Sequence, residues 1–224
     1  MLLGLISLSF FGTLGVSAAM FPDNYDWRYH VISNLLSPRD NPHHYWLSAC
    51  GVSLAALLML PLAGYLRRHL QITSPRAAVV SGRAFGAGIV ALICACLVVP
   101  QHMHAVLGIR RLHELLARSS AAFMAMGMLS GCWCAWKGCG RGLFWTWSLT
   151  TLVPLAGVLC SERLLLLTRL EPSWAAPIRG ALRNSVLWRL GFWEWTGAAA
   201  VFVFFCAAVF LTPPNGTPAG RRAP

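Results

Sequence analysis

Six runs of about 20 residues, each apolar and nearly free of charge, dominate this sequence. An α-helix needs about 20 apolar residues to cross a hydrocarbon layer roughly 30 Å thick. The runs lack the alternation of apolar and polar residues that a membrane β-barrel shows, so helices are the spanning structure that pairs every backbone group. The sequence therefore predicts an all-α integral membrane bundle of six transmembrane helices, at residues 1–21, 45–66, 77–100, 115–136, 143–160 and 190–211.

The composition leaves no room for a soluble domain beside this bundle. Only 11% of the 224 residues are charged and 57% are hydrophobic, whereas soluble domains carry about 25% charged residues. Residues 1–211 are therefore expected to form a single six-helix transmembrane domain, and the Pro/Gly-rich segment 212–224 a disordered tail. The first run resembles a signal peptide near 16–19 but lacks a positive n-region, so we expect a retained helix.

The formal net charge of +11 raises the question of partners. The basic residues flank the apolar runs instead of forming one patch, and no nucleic-acid-binding motif is present. Membrane lipids are thus the expected partners, with a membrane-protein partner or a homo-oligomer as a further expectation, and nucleic acid is not expected. No cofactor is expected.

The polar residues are divided unequally between the two membrane faces. Face A holds the connections after the first, third and fifth runs, and face B holds the other two connections and both tails. All seven acidic residues and six of the seven histidines fall at face A, while the face B loops are basic. Arginine numbers alone favour face A as cytoplasmic. We nevertheless favour face B, because its basic residues lie in short loops without acidic neighbours. This predicts a multi-pass protein of the bacterial inner (plasma) membrane with both termini cytoplasmic.

The first loop, residues 22–44, is too polar and too short to span a bilayer. It contains an apolar stripe at helical spacing, made of Val31, Ile32, Leu35 and Leu36. An exposed loop would gain nothing from such a stripe, whereas burial stabilises each side chain by about 1.5–3 kcal/mol. We therefore predict a structured first outer loop that roofs a pocket at face A, with Asp26, His30 and Asn34 beside His113.

Ionisable side chains at helix ends and polar residues of the first loop, all near face A, supply the candidate site. Charged groups close to the hydrocarbon are costly and often mark function. The ligand-binding candidates are Asp26, His30, Ser33, Asn34, His113, Glu162, Arg163 and Glu194. A structural alternative has Glu162 and Glu194 contacting arginine, and Glu114 pairing with Arg118 at i, i+4.

Two catalytic readings are weaker, and no catalytic residue is assigned. A metal could be held by His102, His104 and His113, where it would activate water for hydrolysis of lipid esters or amides. Their spacing matches no established zinc motif. A Ser–His pair using Ser33 or Ser119 lacks the GxSxG elbow.

The chain resembles the bacterial six-helix membrane proteins grouped as domain of unknown function 998, and more distantly the DRAM/Sfk-like six-helix membrane proteins. The resemblance is carried by the first-loop segment 31–35 with Asn41-Pro42, by Arg111-Leu112-His113, by Ser161-Glu162-Arg163, and by the Trp-rich approach to the last run. It implies a six-pass topology with the first long loop outside, and it implies no activity.

These observations predict a multi-pass membrane protein that binds a lipid head group, a small polar ligand or a membrane partner at a polar site on its outer face. Two alternatives remain open at this point. One is a membrane-embedded, metal-dependent hydrolase acting on lipid, and the other is a small transporter.

Overall fold

The structure is a computed structural model, and it describes residues 1–98, 112–161, 177, 180–181 and 184–211. This part of the chain is an all-helical bundle in which six helices are long and apolar enough to cross a membrane. The helices, numbered in chain order, are α1 Leu2–Ala19, α2 Ile32–Leu36, α3 Tyr45–Gln71, α4 Pro75–Val98, α5 Leu112–Cys134, α6 Arg141–Cys160 and α7 Leu190–Phe210. All but the short α2 are spanning helices, so the predicted fold class is confirmed. The tail 212–224 lies outside the described residues.

Helices α3 and α4 extend beyond the apolar runs that predicted them on face B. Helix α3 continues through Arg67 and Arg68 to Gln71, and α4 already begins at Pro75. Proline is accommodated there because the first helical residue needs no N–H partner. Hydropathy marks only the part of a helix inside hydrocarbon, while long basic side chains let the same helix continue into the head-group layer. The face B connection expected at 66–77 is therefore only three residues long.

Helices α4 and α5 form an antiparallel pair held by two reciprocal hydrogen bonds. The Ser81 hydroxyl donates to the carbonyl of Gly127 at 2.9 Å, and the Ser120 hydroxyl donates to the carbonyl of Gly88 at 2.8 Å. Each helix thus supplies a serine and, seven residues later, a glycine. Small residues let helix backbones approach closely in a membrane, and hydroxyls then bond across the interface.

Two other glycines of α4, Gly82 and Gly86, lie off this α4–α5 contact. A Cβ at Gly82 would meet the side chain of Arg67 on α3, whereas one at Gly86 would meet nothing within 4 Å. The α4–α5 contact runs through Gly88, two positions further along. The spacing of two glycines does not by itself identify which helix face meets a neighbour.

An aromatic cluster joins α4, α6 and α7 in the middle of the bundle. Trp147 is fully buried and stacks on Phe204 with ring centroids 4.4 Å apart, and Phe85 lies 4.9 Å from Phe205. The indole N–H of Trp147 donates to the carbonyl of Phe204 at 3.0 Å. A buried Trp needs such a partner, so this bond fixes the position of α7 against α6.

The first loop folds back onto the end of the bundle, as predicted. Leu35 and Leu36 of α2 are buried in a second apolar cluster together with Leu14 of α1, Val52 of α3 and Cys96 of α4. The other two residues of the predicted stripe, Val31 and Ile32, are half-buried. The stripe thus fastens the loop to three spanning helices.

A buried asparagine anchors the second half of the loop. The Asn41 side chain is 1% exposed, and its amide N–H groups donate to the Ser17 hydroxyl at 2.8 Å and to the Leu35 carbonyl at 3.2 Å. Asn41 therefore links α1, α2 and the start of α3.

Candidate functional site

The first loop meets the start of α7 through three residues on one face of that helix. Gly191, Glu194 and Trp195 are spaced i, i+3 and i+4, so they lie side by side over one turn. Each touches a different point of the first loop, as described below. The face A end of the bundle is therefore built around the first turns of α7.

Gly191 allows the backbones to touch. A Cβ at this position would lie 2.6 Å from the His30 carbonyl oxygen and 3.1 Å from the Tyr29 carbonyl carbon. The obstructing atoms belong to the backbone and not to a flexible side chain. Gly191 is therefore required by the close approach of the loop to α7.

Glu194 binds the beginning of α2. Its Oε2 accepts a hydrogen bond from the backbone N–H of Ile32 at 2.9 Å, and Ile32 is the first residue of that helix. A carboxylate is well placed there because the free N–H groups and the helix dipole both favour negative charge. We predicted that Glu194 contacts arginine. The contact seen here is to a backbone N–H, and the arginine contact stays a prediction.

Trp195 begins a short hydrogen-bonded chain. Its indole N–H donates to the Tyr25 hydroxyl at 2.9 Å, and the Tyr25 hydroxyl donates to the His30 carbonyl at 3.1 Å. Burial raises the pKa of Tyr25 far above its ordinary value; the bond from Trp195 opposes this shift and the charge of Glu194 adds to it. Tyr25 is therefore a neutral phenol whose hydrogen bonds fix the loop against α7.

The loop closes on itself over residues 26–30. Arg28 makes a two-pronged ion pair with Asp26, with nitrogen–oxygen distances of 3.0 and 2.9 Å. The side chain and backbone N–H groups of Arg28 hold the pKa of the Asp26 carboxyl below its ordinary value. His30 Nδ1 accepts from the Asp26 N–H at 3.0 Å, so a neutral His30 ring carries its proton on Nε2. The His30 ring also stacks on Tyr25 at 5.3 Å.

An open cleft of about 320 Å³ lies beside the hydrogen-bonded residues Trp195 and Tyr25. It is lined by Ala18, Tyr25, Trp27 and Trp195. We call it the aromatic cleft. The ring centroids of Tyr25 and Trp195 are 6.2 Å apart and the ring planes meet at 72°, so the two rings line the cleft from different directions. Trp27 is about half exposed and packs on Phe192 at 5.9 Å. Three of the four lining side chains are aromatic.

Two arginines flank the ring of Tyr29, which lies two residues after Trp27 in the same loop. The guanidinium carbons of Arg28 and Arg189 are 5.8 and 5.2 Å from the centre of the Tyr29 ring. Tyr29 is exposed, and Arg28 is also paired with Asp26. Because Arg28 follows Trp27 in the chain and Arg189 precedes α7, we refer to these two arginines as the arginine rim.

The structure brings some of the predicted site residues together and assigns others to structural bonds. Asp26, His30 and Glu194 all belong to the loop–α7 junction. Asn34 serves the loop itself, because its side chain accepts from the Val31 N–H at 3.1 Å and donates to Asp40 at 3.1 Å. Ser33 is half-buried in α2. Glu162 and Arg163 lie outside the described residues.

His113 lies at the junction of two spanning helices, and its expected proximity to Asp26, His30 and Asn34 stays a prediction. Its Nδ1 lies 2.9 Å from the Ala95 carbonyl, so the side chain ties the start of α5 to the end of α4. It does not line the aromatic cleft. The expected pairing of Glu114 with Arg118 on the same helix is present at 3.3 Å.

The metal hypothesis finds no support in the part of the chain that the structure describes. No group of three His, Cys, Asp or Glu side chains within that part is arranged to hold a metal ion. The candidates His102 and His104 lie outside it.

Sequence reasoning missed the residues that shape the cleft, namely Tyr25, Trp27, Gly191 and Trp195. One signal was present, because Gly191 and Trp195 share the helical face of Glu194. Two aromatic residues flanking an acidic one in the loop, Tyr25 and Trp27 around Asp26, were a second hint. Neither signal distinguishes a binding wall from the Trp and Tyr belt that lines many membrane proteins.

No family model, no curated protein and no solved structure matches this chain. What the site can do is therefore argued from its own geometry and chemistry.

Proposed function

We propose that this membrane protein binds the head group of a membrane lipid in the aromatic cleft on its outer face. The observation that carries the proposal is a cleft of about 320 Å³ with three aromatic walls and an arginine-bearing rim. We also propose that the protein lies in a bacterial plasma membrane, with the first loop outside and both termini cytoplasmic. We further propose that it is related to the domain of unknown function 998 proteins.

The depth of the cleft supports a lipid. Ala18 lies in the last turn of α1 and Trp195 in the first two turns of α7. Both positions are at the ends of spanning helices, where hydrocarbon gives way to head groups. Tyr and Trp favour this layer because each has an apolar body and a polar tip. A lipid can reach such a cleft sideways, without leaving the bilayer.

The rim supports recognition of a phosphate. Arg28 gives two of its five N–H donors to Asp26, and its side chain is 50% exposed. The remaining donors of a guanidinium can bond a phosphate oxygen. Arg189 adds positive charge over the same Tyr29 ring. A phospholipid would thus place its phosphate at the rim and an adjoining group against the aromatic walls.

The two other candidate functions lack a supporting observation. Transport needs polar groups along the bundle centre, but Ser81, Ser120 and Thr150 each donate to backbone carbonyls. A metal-dependent hydrolase needs converging ligands, and the described residues supply none.

Binding of water-soluble dihexanoyl phospholipids to the full chain in maltoside micelles tests the proposal. We expect saturable binding that Trp27→Ala weakens about 5- to 30-fold, since that is the effect of removing one aromatic contact of about 1–2 kcal/mol. Trp46→Ala is the matched control, because Trp46 is equally exposed on the same face and bonds only to the His43 carbonyl of its own turn. Absence of saturable binding, or equal losses in both variants, would overturn the proposal.

A further inference from the structure

We infer that the head group held in the aromatic cleft carries a quaternary ammonium, as choline phospholipids do. This inference rests on the proposed function and names the chemical class of the lipid. It follows from the ring arrangement, from the hydrogen-bonding capacity of the lining and from the sign of the surrounding charges.

The ring arrangement suits a cation that makes no directional hydrogen bonds. The Tyr25 and Trp195 planes meet at 72° with centroids 6.2 Å apart, and Trp27 borders the same space. A cation within about 6 Å of an aromatic centroid is attracted by the electrons of the ring face, most strongly for Trp. Several ring faces around one small space are the usual arrangement for a quaternary ammonium. Ala18 provides the short side chain that keeps this space open.

The lining offers little to any group that needs hydrogen bonds. The Trp195 N–H is directed at Tyr25, and the Tyr25 O–H is directed at the His30 carbonyl. Trp27 has only an N–H donor and cannot accept. A primary ammonium such as that of ethanolamine has three donors to satisfy, and a glycerol head group has hydroxyls. On the side that faces the rings, these groups lose hydrogen bonds they made to water. A trimethylammonium has no donor and loses nothing of this kind.

The charges near the cleft favour a zwitterion. Glu194 is adjacent to Trp195, and its negative charge acts on Tyr25 at the cleft wall. Asp26 lies between Tyr25 and Trp27 in the chain and pairs with Arg28. Arg189 is the residue before α7 and lies on the Tyr29 ring with Arg28. A choline phosphate, with nitrogen and phosphate joined by a two-carbon linker, carries both signs of charge and can direct its cation to the carboxylates and its phosphate to the guanidinium groups.

The test compares dihexanoyl phosphatidylcholine with the ethanolamine and glycerol lipids of the same chain length, bound to the full chain in maltoside micelles. We expect the choline lipid to bind at least tenfold more tightly than either of the others. Trp27→Phe should keep part of this preference and Trp27→Leu should abolish it, because leucine retains apolar area but has no ring face. Trp46→Leu should leave the preference unchanged. Tetramethylammonium should compete with the choline lipid at millimolar concentration.

The outcomes separate this inference from the proposed function. If the ethanolamine or glycerol lipid binds as tightly as the choline lipid and still depends on Trp27, the quaternary ammonium is refuted while lipid binding stands. If free choline binds as tightly as the choline lipid, the ligand is a solute and the lipid source is refuted. If no lipid shows Trp27-dependent binding, both proposals fail.

Discussion

Replacing Gly191 by alanine is expected to loosen the first loop from the start of α7. The added Cβ would stand 2.6 Å from the His30 carbonyl oxygen and 2.9 Å from its carbonyl carbon. Both obstructing atoms are backbone, so the loop or the helix must move by several tenths of an ångström. Such movement would stretch the neighbouring bonds from Glu194 to the Ile32 N–H and from Trp195 to Tyr25.

The magnitude follows from two opposing terms. Overpacking of a well-packed contact costs about 1–3 kcal/mol, while alanine gains at most about 1 kcal/mol over glycine in helix propensity, and less at a helix end. The net change destabilises the docked loop. A net loss of about 1–2 kcal/mol would raise the population of the open loop about 5- to 30-fold.

Amide hydrogen exchange of the protein in lipid nanodiscs measures this opening. The rates over residues 28–36 should rise in Gly191→Ala and stay unchanged in Gly197→Ala. The control substitution is matched because Gly197 lies on the same helix with nothing within 4 Å of an added Cβ. Unchanged exchange over 28–36 in Gly191→Ala would refute the close approach, and rapid exchange there in the unmodified protein would refute the docked loop itself.

Three further predictions concern the loop, the central helix pair and the topology. Burial keeps the pKa of Tyr25 above the ordinary value of 10.0, so its neutral form stabilises the fold up to about that pH and the contribution is lost as the pH rises further. In a pH titration followed by tyrosinate absorbance, one of the four tyrosines should ionise last, and this final step should be missing in Tyr25→Phe. Ionisation of all four tyrosines in one early step would contradict the prediction. Ser120→Ala should lower unfolding stability by about 0.6–1.7 kcal/mol, whereas Ser130→Ala, whose hydroxyl bonds only to its own helix, should not, as steric-trapping measurements can test. Single cysteines at Asn24 and Thr73, in a background without other cysteines, should react with impermeant reagents from opposite sides of the membrane, and labelling from one side would refute the topology.

The six spans could be predicted because hydropathy over about 20 residues depends on the bilayer and not on the fold. The docking of the first loop was predictable for a similar reason, since Leu35 and Leu36 could be buried only against the bundle. Helix ends were less predictable. Arg67 and Arg68 look like the end of a helix by charge, yet backbone hydrogen bonding continues past them to Gln71.

The cleft was not predictable, because its walls come from chain segments about 170 residues apart. Tyr25 and Trp195 meet only after α7 has been placed beside the loop. Attention to polar and ionisable groups also favoured His113 and Asn34, whose polar atoms are used in holding helices and the loop together. In a sequence with ten Trp residues, nothing local distinguishes the one that lines a cleft.

The reciprocal bonds between α4 and α5 have a mechanical consequence. Because one bond lies on either side of the contact, sliding or turning one helix against the other would break both together. The two helices therefore move as one rigid unit. The cleft, by contrast, touches the outer helices α1 and α7. Of the residues in their most apolar stretches, 17% and 28% are buried, against 39% in α4. These outer helices meet at Phe11 and Phe202, whose ring centroids are 6.0 Å apart. An occupant of the cleft would thus lie above this ring contact and touch α1 and α7, while the α4–α5 pair takes no part in the cleft.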